Sequence, residues 1–133
     1  MKHFKHSYEE LHKVGQRYYS DTGFCAVIAT AVACDISFGK ALSFSKKAGR
    51  KHRKGSSLAM IHSMMALGGK KMTPVDNFGA TLTTSERHAP KTGRYMFLVR
   101  GHVAAMRDGV LEDWTSGGNK RKILATYKIE DWK

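Results

Sequence analysis

The sequence predicts an α+β fold in a single domain over residues 1–133, with helices first and an antiparallel sheet second. Two patterns carry that prediction. Apolar residues recur at intervals near four up to Gly69 and near two beyond it. In the second half, turn-forming residues divide the chain into short strand-like runs, and the Asp108-Gly109 pair between two such runs is a strong short-range hairpin signal.

Tyr8, Leu11, Val14 and Tyr18 define a first helix over residues 8–18, with Ser7 and Glu10 at the spacing of a capping box. "SDTG" interrupts it. From Phe24 to about Ile36 nearly every position is apolar, which in a soluble protein describes a helix buried in the middle of the domain. A third helix follows in "SFGKALSFSKKAG", after a turn at Ser37 to Gly39. The fourth is "SSLAMIHSMMALGG", with Leu58, Ile61, Met64 and Met65 on its buried side, Ser56 as cap and Gly68 as stop. Residues 68–93 are expected to be loop-rich, with a short strand near Lys71–Pro74. The segment from Asp76 to Gly93 is long enough to border a groove. Four strands are then expected in "RYMFLVR", "HVAAMR", "VLEDW" and "KILATYKI".

The N-terminus lacks the long apolar stretch of a signal peptide, and no apolar run approaches the roughly 20 residues that span a bilayer. A soluble cytoplasmic protein with no membrane partner is the expectation. Nothing in the sequence calls for a cofactor, and no metal-ligand set is evident beyond the incomplete grouping of His3, His6 and Glu9. Two cysteines cannot form a disulfide framework. At roughly 100° per residue, Cys25 and Cys34 face opposite sides of one helix and can share neither a bridge nor a metal. Cys34, among Ala33, Asp35 and Ile36, reads as structural. Cys25, at the junction of a glycine turn and a buried helix, is the candidate nucleophile: helix N-terminal N–H groups and the helix dipole favour thiolate over thiol.

If Asp108-Gly109 is a two-residue loop, Arg107 pairs with Val110 and Met106 with Leu111. His102, Ala104, Met106, Leu111 and Asp113 then project to one side of the sheet. His102 and Asp113 become diagonal neighbours, roughly 7 Å apart at the backbone. A nucleophile, a base and an orienting acid are thereby available. Imidazole can hold a thiolate as an ion pair, a carboxylate beyond it fixes its tautomer, and the backbone N–H of Cys25 points where an acyl oxyanion would form.

A cysteine opening a buried helix, followed much later by "GHVAAM" and then by "LEDWTSGG", resembles the papain-like cysteine peptidase superfamily. It is most similar to the small compact members, including peptidase-like proteins encoded by bacteriophages. The resemblance implies a papain-like fold with a Cys25, His102 and Asp113 triad that cleaves an amide or isopeptide bond of a protein or peptide. It also implies a phage or bacterial setting, with the host cytoplasm as the compartment for a phage protein. The superfamily usually carries a Gln a few residues before the nucleophile to complete the oxyanion hole. Here Tyr19 stands six residues back and Gln16 nine back, and these are the two oxyanion candidates.

Lys and Arg outnumber Asp and Glu by 23 to 11, a net charge of +12 that favours encounter with acidic partners. The densest patch comprises Lys46, Lys47, Arg50, Lys51, Arg53 and Lys54. It reads either as a solvated helix end or as a surface for phosphates or an acidic protein. Together with the missing Gln, the patch supports an alternative: a catalytically inactive papain-like fold that binds an acidic host protein or nucleic acid.

Overall fold

The computed structural model describes residues 9–11, 13, 14, 25–49, 58–99, 102–112 and 122–131. Helix α1, Cys25–Cys34, is the buried helix, and every residue from Ala26 to Ala33 is shielded from solvent. Val27, Ile28, Thr30 and Val32 are modest helix formers. Alanines between them and burial on all sides supply the stability that propensity does not. The helix ends in a Schellman arrangement: Asp35 adopts φ 54°, its N–H donates to Val32 O at 3.3 Å, and the Ile36 N–H donates to Ala31 O at 3.0 Å.

Helix α2, Phe38–Lys47, starts one residue after Ser37, whose hydroxyl accepts the Lys40 N–H at 3.2 Å. Phe38 and Gly39, expected in a turn, are therefore already helical. Phe38, Ala41, Leu42 and Phe44 face the core, and Lys46 and Lys47 complement the negative end of the helix dipole. Helix α3, Leu58–Leu67, buries Ile61, Met64 and Met65, but Leu58, expected beside them, is exposed. Two glycines follow the helix for different reasons: a Cβ on Gly68 would lie 2.8 Å from Cys34 Sγ, and Gly69 takes the left-handed φ of 78° that turns the chain out of the helix. Residues 9–11, 13 and 14 are helical, with Leu11 buried in the same core; the rest of the expected first helix, and Ser7 of its expected capping box, lie outside the described residues.

The strands are β1 (Lys70–Val75), β2 (Arg94–Val99), β3 (His102–Arg107), β4 (Val110–Glu112) and β5 (Ile123–Asp131). They form one sheet in the order β1-β5-β2-β3-β4, every pair antiparallel. The fold is thus α+β, and β1 is longer than the short strand expected near Lys71–Pro74. Pro74 is tolerated because β1 is an edge strand. Met72, Met96, Val103, Ala105, Tyr127 and Ile129 pack against α1, α2 and α3. The alternate residues Tyr95, Phe97, Val99, Ala104, Met106, Leu111 and Ile123 form a second core.

That second core is covered by a helix the sequence reading missed. Within the expected loop, Leu82–His88 forms α4, opened by a capping box in which Thr81 and Thr84 each bind the other's backbone N–H. Leu82 and Ala89 close over Phe97, with Phe78 packed edge-on against Tyr95 and Phe97. Glu86 performs a separate task, accepting the Leu111 N–H at 2.7 Å on the outer edge of β4. That edge is blunted by its shortness and by a carboxylate placed where another strand would bond.

The β3–β4 turn is the predicted two-residue loop, with Asp108 at φ 48° and Gly109 at φ 82°, both positive as a type I′ turn requires. Arg107 pairs with Val110 and Met106 with Leu111, as the loop length dictates. Among the described residues no single helix is long and apolar enough to cross a membrane.

Candidate active site

Cys25 is the first residue of α1, where backbone N–H groups have no partner within the helix and the dipole is positive. His102 is the first residue of β3, paired across the sheet with Val99 and 5% exposed. The structure brings the two together: the His102 side chain and the backbone of Val103 and Ala26 lie close enough to the Cys25 thiol to favour its ionised form. Burial pushes the thiol pKa up and is the largest single influence. The His102 hydrogen bond, the Val103 backbone bond, charge attraction from His102 and the Ala26 backbone bond together outweigh it. The thiol therefore lies below the ordinary cysteine range.

The position of His102 refines the one-face expectation. Ala104, Met106 and Leu111 do share a face, the one covered by α4, whereas α1 packs on the opposite face through Val103 and Ala105. His102 has the parity of the first set yet meets a residue of α1. Standing at the first position of its strand, at the end of the sheet, it is not confined to one face.

Asp113, the expected orienting acid, lies outside the described residues, as do the oxyanion candidates Gln16 and Tyr19. Glu112 is committed elsewhere. Its carboxylate approaches Arg107 Nη2 at 3.7 Å, and both side chains are buried. Within the basic patch, Lys46 and Lys47 are exposed at the end of α2, while Arg50, Lys51, Arg53 and Lys54 lie outside the described residues.

Cys34 is half-buried like Cys25 but differs from it in helix position and in neighbours. At the C-terminal end of α1 it has no N-terminal amides, and its Sγ lies 4.0 Å from Met65 Sδ. Burial pushes its thiol up to about 11, with Lys70 and Arg94 opposing only in part. It is a packing residue at neutral pH, as its apolar sequence context predicted.

Sequence reasoning passed over the group that holds the other end of α1. Arg107 lies on β3 with its side chain fully buried, and Nη1 donates to Val32 O at 3.2 Å and faces Asp35 Oδ1 at 3.5 Å. Its cross-strand neighbour Arg94 donates to Ala33 O. Burial lowers the Arg107 pKa, and the carboxylates of Glu112 and Asp35 counter it. The available signal was Asp35, a non-glycine residue at the helix-ending position that favours glycine. Two surface clefts, one beside Arg94 and Asp131 and one beside His62 and Met72, include neither Cys25 nor His102. Comparisons of the chain with family models, with curated proteins and with solved structures found no match.

Proposed function

We propose that the protein is a papain-like thiol hydrolase that cleaves an amide or isopeptide bond in a protein or peptide, acting in the cytoplasm. The observation that carries this reading is the Cys25 thiol held against His102 at a helix N-terminus, with a pKa below the ordinary range despite burial. In the reaction, the Cys25 thiolate adds to the carbonyl carbon, and the oxyanion takes hydrogen bonds from amides at the start of α1. The His102 imidazolium gives its proton to the departing amine as the C–N bond breaks, leaving a thioester on Cys25. His102, now neutral, removes a proton from water; the hydroxide attacks the thioester, and carboxylate and thiol are released. Asp113 is assigned the task of holding the imidazole.

The rival reading is a basic protein that uses the same fold only to bind, supported by the charge of +12 and by exposed Lys46 and Lys47. A short peptide thioester separates the two. Hydrolase chemistry predicts a transient acyl adduct that peptide mapping places on Cys25, turnover of the probe, and loss of both in Cys25→Ala. No adduct, or equal acylation of Cys25 and Cys34, would reject the hydrolase reading.

A further inference from the structure

We infer that Arg107 and Asp35 are a positioning pair that fixes the register of α1 along β3 and so holds the Cys25 sulfur against His102. This rests on the hydrolase reading of that dyad. Helix and strand are joined at two places. Near one end, Cys25 meets His102 and Val103; towards the other, Arg107 meets Val32 and Asp35. From Cys25 to Val32 the helix advances roughly 10 Å, and from His102 to Arg107 the strand advances roughly 17 Å, so the elements run the same way. The long Arg107 side chain spans the difference and anchors on the Val32 carbonyl in the last turn of the helix, which accepts it beside the Asp35 N–H.

Stability alone is a poor reason for this arrangement. A fully buried guanidinium between two carboxylates sacrifices hydration that a well-packed apolar side chain would never need, and fixing register is the best-attested use of such groups. Asp35 adds a second departure from local optimum, because it holds φ 54° where glycine would be unstrained. What glycine could not supply is the carboxylate facing Arg107. The apolar side chains of α1 make non-directional contacts with Phe38, Met64, Met96 and Val103, which resist a small axial slide through shape alone. A polar tie at the far end restricts that motion, and misplacement of a reacting group by about 1 Å costs on the order of 100-fold in rate.

Asp35→Gly makes the test, since it relieves the backbone while removing the carboxylate. Two quantities are measured: the pH profile of iodoacetamide alkylation at Cys25, resolved by peptide mass, and the position of the Val103 amide resonance. The expected result is a folded protein whose melting temperature reflects relief of backbone strain set against the loss of one carboxylate beside buried Arg107, with alkylation at pH 7 slowed about tenfold, its profile moved to higher pH, and a displaced Val103 resonance. Asp35→Asn, which keeps an acceptor for Arg107 and tolerates the left-handed backbone, is expected to stay within about threefold of the parent. An unchanged profile and an unmoved Val103 resonance in Asp35→Gly would overturn the positioning role. A displaced Val103 resonance in a protein whose Cys25 is inert even as wild type would support the tie and reject the hydrolase reading instead.

Discussion

Replacing Gly109 by alanine probes the turn on which the β3–β4 register depends. Gly109 holds φ 82°, a conformation that costs an L-residue roughly 1–2 kcal/mol. An added Cβ would also stand 3.1 Å from Lys91 Cδ and 3.3 Å from Lys91 Cα. The first atom can swing away, but the second is backbone, and Asp108 ties the turn to that neighbourhood. The Asp108 N–H donates to Gly93 O at 2.8 Å, and the Gly93 N–H donates to Asp108 Oδ1 at 3.0 Å. Strain and crowding together give an expected loss of about 2 kcal/mol, read as a lower urea midpoint at unchanged slope. In a domain of this size that is a fall of roughly 6–8 °C in melting temperature. Asp108→Asn, which tolerates positive φ and keeps an acceptor, is expected to lie within about 0.5 kcal/mol of the parent. A Gly109→Ala protein as stable as the parent would refute the constrained turn, and with it the reasoning that the loop fixes which residues of β3 and β4 are opposed.

Phe97→Ala, which empties the centre of the core beneath α4, should cost about 3–5 kcal/mol in a urea titration; a loss under 1 kcal/mol would mean that the face is not packed as described. Gly68→Ala should destabilise through the 2.8 Å approach to Cys34 Sγ, and Cys34→Ala should relieve much of that penalty. A double-mutant cycle with no coupling would contradict the contact. Cys34 also predicts an alkaline effect. Its folded pKa of about 11 lies above the ordinary value of 9.0, so folding favours the protonated thiol. The stabilisation is present below pH 9 and is lost as pH rises through about 11. Thermal melts across that interval should fall faster for the parent than for Cys34→Ala, and parallel curves would contradict the assignment.

Helices α1 and α3 were legible from an all-round apolar run and a glycine stop, whereas Ser56, read as the cap of α3, lies outside the described residues and Ser37, read as part of a turn, is the cap of α2. The hairpin was equally legible, since Asp108-Gly109 specifies both a turn and a register. Helix α4 was not. Its seven residues, "LTTSERH", are short and polar, and its anchors Leu82 and Ala89 gain meaning only from the sheet face they cover. Strand β3 is buried along its whole length, since helices cover both faces; its sequence therefore lacks the apolar-polar alternation of a half-exposed strand. At the site, Cys25 and His102 could be singled out by chemistry and by order along the chain. The meeting of His102 with α1 could not, because strand parity alone assigns it to the face opposite α1. Arg107 was hidden for a related reason: an arginine at a strand end is ordinarily solvent-facing, and only the approach of Val32 and Asp35 makes it interior.

The most direct test of the central claim is the alkylation rate of Cys25 at pH 7, resolved by peptide mass, in the parent and in His102→Ala. A hydrogen bond to an ionised group contributes about 1.5–3 kcal/mol, so removing the imidazole should slow the reaction roughly 10- to 100-fold. Cys34, held in its thiol form, should react more slowly than Cys25 in the parent. A Cys25 that labels no faster than Cys34, or whose rate is unchanged by His102→Ala, would contradict the account.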